Sequence, residues 1–143
     1  VESYMEEKYM LIAYKEALKS YKKNEVPVGA IIVKNNKIIA KAHNTRQYKK
    51  SVLGHAEINA ILKAEKLLKD WRLNGCIMYV TMLPCNLCQN VIKESRVDKV
   101  IYMINNQNNK ILIDNVIIQT NVCNDIIKKY EEIINQFFEK LRK

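Results

Sequence analysis

Two short motifs constrain the folding of this chain more than anything else in it. His55-Ala56-Glu57 and Pro84-Cys85-Asn86-Leu87-Cys88 are separated by 26 residues, Ile58 to Leu83. Both motifs read as helix starts. Cys85 and Cys88, three apart, share one face of a first turn, and Pro84 suits the first helical position. Helix N-termini carry partial positive charge and stabilise thiolates. One imidazole and two thiolates are three ligands of the types that suit zinc, and three protein ligands leave a fourth position open, the mark of a catalytic rather than a structural site. The intervening segment has room for one helix and one strand, which must bring the two helix starts together.

The flanking pattern agrees with that demand. After a capping-box spacing at Ser3-x-x-Glu6, Tyr9, Met10, Ala13, Ala17 and Tyr21 recur at helical spacing and predict a helix to about Lys22. Ala30 to Val33 and Ile38 to Ala40 are β-rich runs joined by Lys34-Asn35-Asn36-Lys37, a hairpin. Residues His43 to Gly54 are polar. A helix is expected from His55, with Ile58, Ile61, Leu62 and Leu68 in register. Cys76 to Thr81 reads as a buried strand, Val97 to Ile104 as another, and Ile111 to Ile118 as a weak one. Ile126, Ile127, Tyr130, Ile133, Ile134, Phe137, Phe138 and Leu141 form a single apolar stripe on a last helix, read as core packing. Helices alternating with strands predict an α/β class with helices on both faces of a central sheet.

Composition narrows the function classes. The chain has 143 residues, 48% hydrophobic and 27% charged, so disorder is excluded as its main state and one domain over residues 1–143 is expected. There is no apolar run long enough to span a bilayer, and Val1 to Glu7 is too acidic for a signal peptide; a cytoplasmic protein with no membrane partner is expected. Four cysteines, Cys76, Cys85, Cys88 and Cys123, do not make a disulfide scaffold. Cys76 is expected in the core, Cys123 has no assignment, and His43 is read as packing or capping. The 24 Lys and Arg against 15 Asp and Glu give a net charge of +9, which favours polyanions such as nucleic acid. A composition crowded with Asn, Ile and Lys yields the same charge with no ligand involved. Lys41 to Lys50 holds four basic residues and no acidic one, so Lys41, Arg46, Lys49 and Lys50, with Lys140 and Arg142, are the candidate phosphate contacts.

Glu57 decides between chemistries. Two positions from His55, it does not ligate in the same way but reaches a water at the open metal position, from which it takes a proton and passes it on. A lone Cys-x-x-Cys also occurs in redox sites and as half of a zinc finger. Here no second cysteine pair completes a four-cysteine site, and the motif does not follow the first strand of a thioredoxin-like unit. His-x-Glu followed by Pro-Cys-x-x-Cys is a known signature of zinc nucleobase deaminases.

With those residues the sequence resembles the cytidine deaminase superfamily and, within it, the bacterial tRNA-specific adenosine deaminases. Glu25-Val26-Pro27-Val28-Gly29-Ala30, Ala42-His43-Asn44, Trp71-Arg72-Leu73, Tyr79-Val80-Thr81 and the terminal Phe137-Phe138 with Leu141-Arg142 carry the likeness to the tRNA branch. The resemblance implies a three-layer α/β/α fold with a central five-stranded mixed sheet. It implies one Zn2+ per subunit on His55, Cys85 and Cys88, and Glu57 as proton shuttle. Asn44 would hydrogen-bond a flipped adenine, with Val28, Ala56 and Pro84 enclosing it and Asn106 on the adjoining substrate loop. A homodimer is implied, with the anticodon stem-loop of a tRNA lying across both subunits, and adenosine converted to inosine at the first anticodon position. Three departures stand out. Leu83 replaces the usual Glu before Pro-Cys, Gln89-Asn90 replace small residues after Cys88, and Met103-Ile104-Asn105-Asn106 replace a Gly-Ala-x-Asp run ahead of a short, glycine-free loop. Two rival functions follow: deamination of a free base or nucleotide such as cytosine, guanine or deoxycytidylate, and a non-catalytic zinc-stabilised RNA-binding subunit, against which Glu57 itself argues.

Overall fold

The computed structural model describes residues 2–121 and 123–142, with side chains from Tyr4 onward. Its elements are α1 (Glu2–Lys22), β1 (Gly29–Lys34), β2 (Lys37–His43), α2 (Arg46–Lys49), α3 (Ala56–Leu68), β3 (Cys76–Met82), α4 (Asn86–Ser95), β4 (Lys99–Ile104), β5 (Ile117–Gln119) and α5 (Asn124–Leu141). The strands form one sheet in the order β2-β1-β3-β4-β5. β1 is antiparallel to β2 and to β3, whereas β3, β4 and β5 are parallel. This is the mixed five-stranded sheet that the resemblance implied.

Alternation along the strands builds the three layers. Ala30 and Ile32 of β1 and Met78 and Val80 of β3 pack with Ala56, Ala60, Ile61 and Ala64 of α3 and Ile92 of α4. The residues between them, Ile31, Val33 and Tyr79, pack with Tyr9, Met10, Ala13 and Ala17 of α1 and Tyr130, Ile133 and Ile134 of α5. Period-two side chains on a strand necessarily divide this way. α1 sits on β1 so closely that a Cβ added to Gly29 would lie 2.0 Å from the Ala13 carbonyl oxygen and 2.6 Å from the Ala17 nitrogen. Both are backbone atoms and cannot swing aside. Gly29→Ala is therefore expected to lower stability by about 3 kcal/mol, at the upper end of overpacking effects. The midpoint of urea unfolding measures it, and an unmoved midpoint would contradict this contact.

Some expectations need correction. The first helix is already under way at Glu2, so the Ser3 position is inside it; the Ser3 side chain lies outside the described residues. Pro84 is not the first residue of α4. The N-cap is Cys85, which leaves Pro84 just outside the helix, where its fixed φ aims the chain into the cap. The weak strand over Ile111 to Ile118 contracts to Ile117–Gln119, because Leu112 gives its N–H to the Gln89 side chain and the chain turns at Ile113, whose carbonyl accepts from Val116 and Ile117.

Candidate active site

The two helix starts meet at one end of the sheet. His55 is the N-cap of α3 and Cys85 the N-cap of α4, with Cys88 one turn inside α4. His55 Nδ1 and Cys85 Sγ are 3.9 Å apart. One ligand atom from each of His55, Cys85 and Cys88 lies within 4.8 Å of the other two. A tetrahedral zinc with sulfur and nitrogen ligands places such atoms roughly 3.5–3.8 Å apart, so a slight inward movement closes the set. The donor chemistry fits zinc: two sulfurs and one imidazole, at two converging helix N-termini that favour the thiolate forms.

The charges of these groups are coupled. The Cys85 thiol is held down at about 3, first by its hydrogen bond with Cys88 and then by His55. His55 is raised, chiefly by its bond to Cys85. Cys88 is pushed far above the ordinary thiol range by its bond to Cys85 and by burial. The Cys85–Cys88 hydrogen bond thus pushes the two thiols in opposite directions, and a dication held by both sulfurs would favour the deprotonated form of each. Glu57, only 5% exposed, is raised to about 7, first by burial, with the Cys88 hydrogen bond acting the other way. A carboxyl poised near neutrality is suited both to accept and to donate a proton at that pH.

Beside these groups lies a small cavity of about 100 Å³, walled among others by Val28, Asn44, His55, Ala56 and Glu57. Of the residues named from the sequence, His55, Cys85, Glu57, Asn44, Val28 and Ala56 are on its wall. Pro84 is not, although its neighbours Leu83 and Cys85 are. Asn106 lines a different cavity, with Ile104, Gln119 and Glu131. Arg46 is the member of the basic set that lines the active cavity. Lys41 is exposed on β2, Lys49 reaches Asn59 Oδ1 at 3.4 Å, Lys50 ends α2 in the left-handed region, Lys140 lies over the Tyr21 ring, and Arg142 caps α5.

The sequence reading missed how the wall is held. Asn44 donates to the Val26 carbonyl at 3.2 Å and accepts from the Arg46 N–H at 3.0 Å; its amide retains capacity for one more bond of each kind. The buried Glu25 carboxylate accepts the N–H groups of Gln47 at 3.0 Å and Tyr48 at 2.8 Å. These are the N2 and N3 donors of α2, so Glu25 performs from a distance the capping that the Thr45 side chain does not. Asn59 donates to the His43 carbonyl and to Thr45 Oγ1, both at 2.9 Å, fixing the same loop to α3. On the opposite face of the sheet, Tyr130 of α5 donates to the Pro27 carbonyl at 2.6 Å, next to Val28. The cavity also takes in Val26, Arg46, Met82, Leu83 and Gln107, none of which the motif marks.

A three-layer α/β/α fold with a His-Cys-Cys cluster that could hold a metal ion beside a buried glutamate points to the class of zinc-binding deaminase-like domains. Residues 3–104 match the family model of the cytidine and deoxycytidylate deaminase zinc-binding region, and the chain belongs to that family. It is 46% identical to the tRNA-specific adenosine deaminase of Bacillus subtilis (strain 168) over 97 residues, 68% of this chain and 60% of that protein. It is 35% identical to the tRNA-specific adenosine deaminase of Aquifex aeolicus (strain VF5) over 144 aligned positions, 95% of each. A solved structure from a study of A-to-I editing by tRNA:A34 deaminases at the wobble position of transfer RNA superposes with a TM-score of 0.74 at 26% identity, covering 78% of this chain and 96% of that one. Guanine deaminase from Bacillus subtilis superposes with a TM-score of 0.66 at 33% identity, covering 69% and 64%.

Proposed function

We propose that this chain hydrolyses adenosine to inosine at the first anticodon position of tRNA, with one zinc per subunit held by His55, Cys85 and Cys88. The observation that carries the reading is the placement of Glu57, buried beside the ligand cluster and on the wall of a cavity of about 100 Å³ that Asn44 and Val28 also line. Two full or partial relatives that bear the name tRNA-specific adenosine deaminase support the choice of substrate. A homodimer working in the cytoplasm is part of this reading, resting on the resemblance seen in the sequence; separately, among the described residues no helix is long and apolar enough to cross a membrane.

When bound, zinc supplies a Lewis acid that brings the pKa of a water toward about 7. The remaining chemistry belongs to side chains. Glu57 takes a proton from the attacking water and delivers it to the ring nitrogen next to C6, which makes that carbon more electrophilic. After the new C–O bond forms, Glu57 takes the second proton, from the new C6 hydroxyl, and passes it to the exocyclic amine; the C–N bond breaks, ammonia leaves, and the C6 carbonyl of inosine remains. Asn44 orients the base through its free amide capacity, while Val28 and Ala56 give the ring an apolar surface and exclude water. The target base must leave the stack to enter, which is easiest in a single-stranded loop. Arg46 at the cavity and the neighbouring lysines hold phosphates, so binding weakens as salt rises.

The test is to incubate the zinc-loaded protein with total tRNA and sequence for adenosine-to-inosine changes. A change confined to the first anticodon position is expected. Deamination of free guanine is the second reading, favoured by the 33% identity to a guanine deaminase and by the altered loop after β4. Ammonia release from guanine, cytosine or deoxycytidylate, with no inosine in an anticodon stem-loop, would establish it instead.

A further inference from the structure

We propose that Gln89 is a positioning residue that seats the 105–112 loop so that Gln107 reaches the wall of the cavity, and that the Gln107 side-chain amide is a substrate-specificity contact there. Gln89 is completely buried. Its Nε2 donates to the Pro84 carbonyl at 2.9 Å and to the Lys110 carbonyl at 2.8 Å. Its Oε1 accepts the Leu112 N–H at 2.7 Å. A single side chain thus ties the turn just before Cys85 to two backbone groups of the loop, and both of its N–H donors are used. The loop also closes on itself, since Asn109 N–H donates to Asn105 Oδ1 at 3.0 Å and Asn105 Nδ2 donates to the Asn109 carbonyl at 2.9 Å.

With 105 and 109 clamped together and 110 and 112 anchored to Gln89, the tip between them has little freedom. Asn108 takes the left-handed conformation there, with φ 52°, which Asn tolerates better than most residues. The outcome is that Gln107, exposed to solvent, lines the cavity together with Asn44, Arg46 and Glu57, whereas Asn106 lines a separate one. A neutral amide at that place offers both a donor and an acceptor to the polar edge of a base or to its ribose hydroxyl. A small side chain at position 89 could not span from α4 to the loop, so the strap depends on the length of the Gln89 side chain. Losing it would leave Leu112 N–H and two carbonyls without partners, each of which is then better served by water outside the fold.

The substrate half of this inference rests on the proposed deaminase reading; the strap half does not. Zinc-loaded wild type, Gln89→Met, Gln107→Ala and the double variant are compared by zinc content, by amide hydrogen exchange at Leu112, and by kcat and KM on an anticodon stem-loop. Gln89→Met is expected to keep its zinc, to speed exchange at Leu112 at least tenfold, and to raise KM about tenfold with kcat within about twofold, as for one lost hydrogen bond. Gln107→Ala is expected to raise KM by a similar factor with Leu112 exchange unchanged, and the double variant to be no worse than Gln89→Met alone. Unchanged exchange at Leu112 in Gln89→Met overturns the strap. Unchanged KM in Gln107→Ala, or multiplied effects in the double variant, overturns the link to substrate. Should Gln89→Met not fold, Gln107→Ala, at an exposed tip, still decides the substrate contact, and Leu112 exchange in the wild type decides the strap: slow exchange supports it, and exchange at the rate of an exposed amide overturns it. A wild type that deaminates no RNA sinks the substrate half along with the functional reading, while Leu112 exchange continues to judge the strap.

Discussion

Glu57→Gln is expected to lower turnover by about 10³- to 10⁴-fold, the range of a positioned general acid and base, while zinc content stays at the wild-type level. The separation follows from the geometry. The three clustered ligand atoms come from His55, Cys85 and Cys88, and Glu57 stands next to them on the cavity wall without completing the set. Gln keeps the volume and one acceptor oxygen but cannot carry a proton between water, ring nitrogen and amine. Glu57→Ala should abolish turnover to the same degree, again with metal retained, and undiminished inosine yield in either variant would remove Glu57 from the mechanism. A second consequence appears in the metal-free protein. Burial raises the Glu57 carboxyl from 4.5 to about 7, so between those values the folded state holds more protons than the unfolded one. Its contribution to stability is complete below pH 4.5 and is lost as pH rises through about 7. Glu57→Gln removes that dependence, and comparing metal-free denaturation midpoints of the two proteins from pH 4.5 to 8 measures it.

Much of this site was legible because helix caps and metal ligands are local in sequence. Both motifs do start helices, with His55 as the N-cap of α3 and Cys85 as that of α4, slightly later than Pro84 suggested, and Cys88 lies one turn on. The alternation of helical segments with β-rich runs along the chain announced a sheet covered on both faces, and the stripe from Ile126 to Leu141 announced α5, whose residues Tyr130, Ile133, Ile134 and Phe137 are buried. What escaped was held by partners distant in the chain. The segment after His43 reads as polar loop, yet it contains α2 because a carboxylate 22 and 23 positions upstream caps it. The Gln89 amide decides how far β5 extends and which loop residue meets the cavity, through bonds spanning 21 and 23 positions. Hydrophobic periodicity carries no information about such bonds. Motif analogy suggested a substrate contact at Asn106; in the fold Asn106 lines a neighbouring cavity, and Gln107 lines the one beside Glu57.

Cys88→Ala is expected to strip the protein of zinc and to lower its thermal midpoint by more than any surface substitution would. Cys88 is fully buried in α4 and bonds to both Cys85 and Glu57, so its removal takes a ligand and leaves a small void between the two helix starts. The void alone is modest, since Ala differs from Cys by one sulfur atom. The metal term is larger, because a ligand that binds only the folded state adds its binding free energy to folding. The two terms are separable. A chelator added to wild type removes the metal term alone, and should produce most of the fall seen in Cys88→Ala; the same chelator added to Cys88→Ala should change nothing further. Zinc measured by elemental analysis at close to one per chain in Cys88→Ala, or a chelator effect as large in the variant as in wild type, would show that the metal is held elsewhere. Cys85→Ala supplies the internal comparison. It removes the other thiolate from a half-exposed position, where water can enter beside the metal, so it should lose zinc with a smaller penalty in the metal-free midpoint than Cys88→Ala.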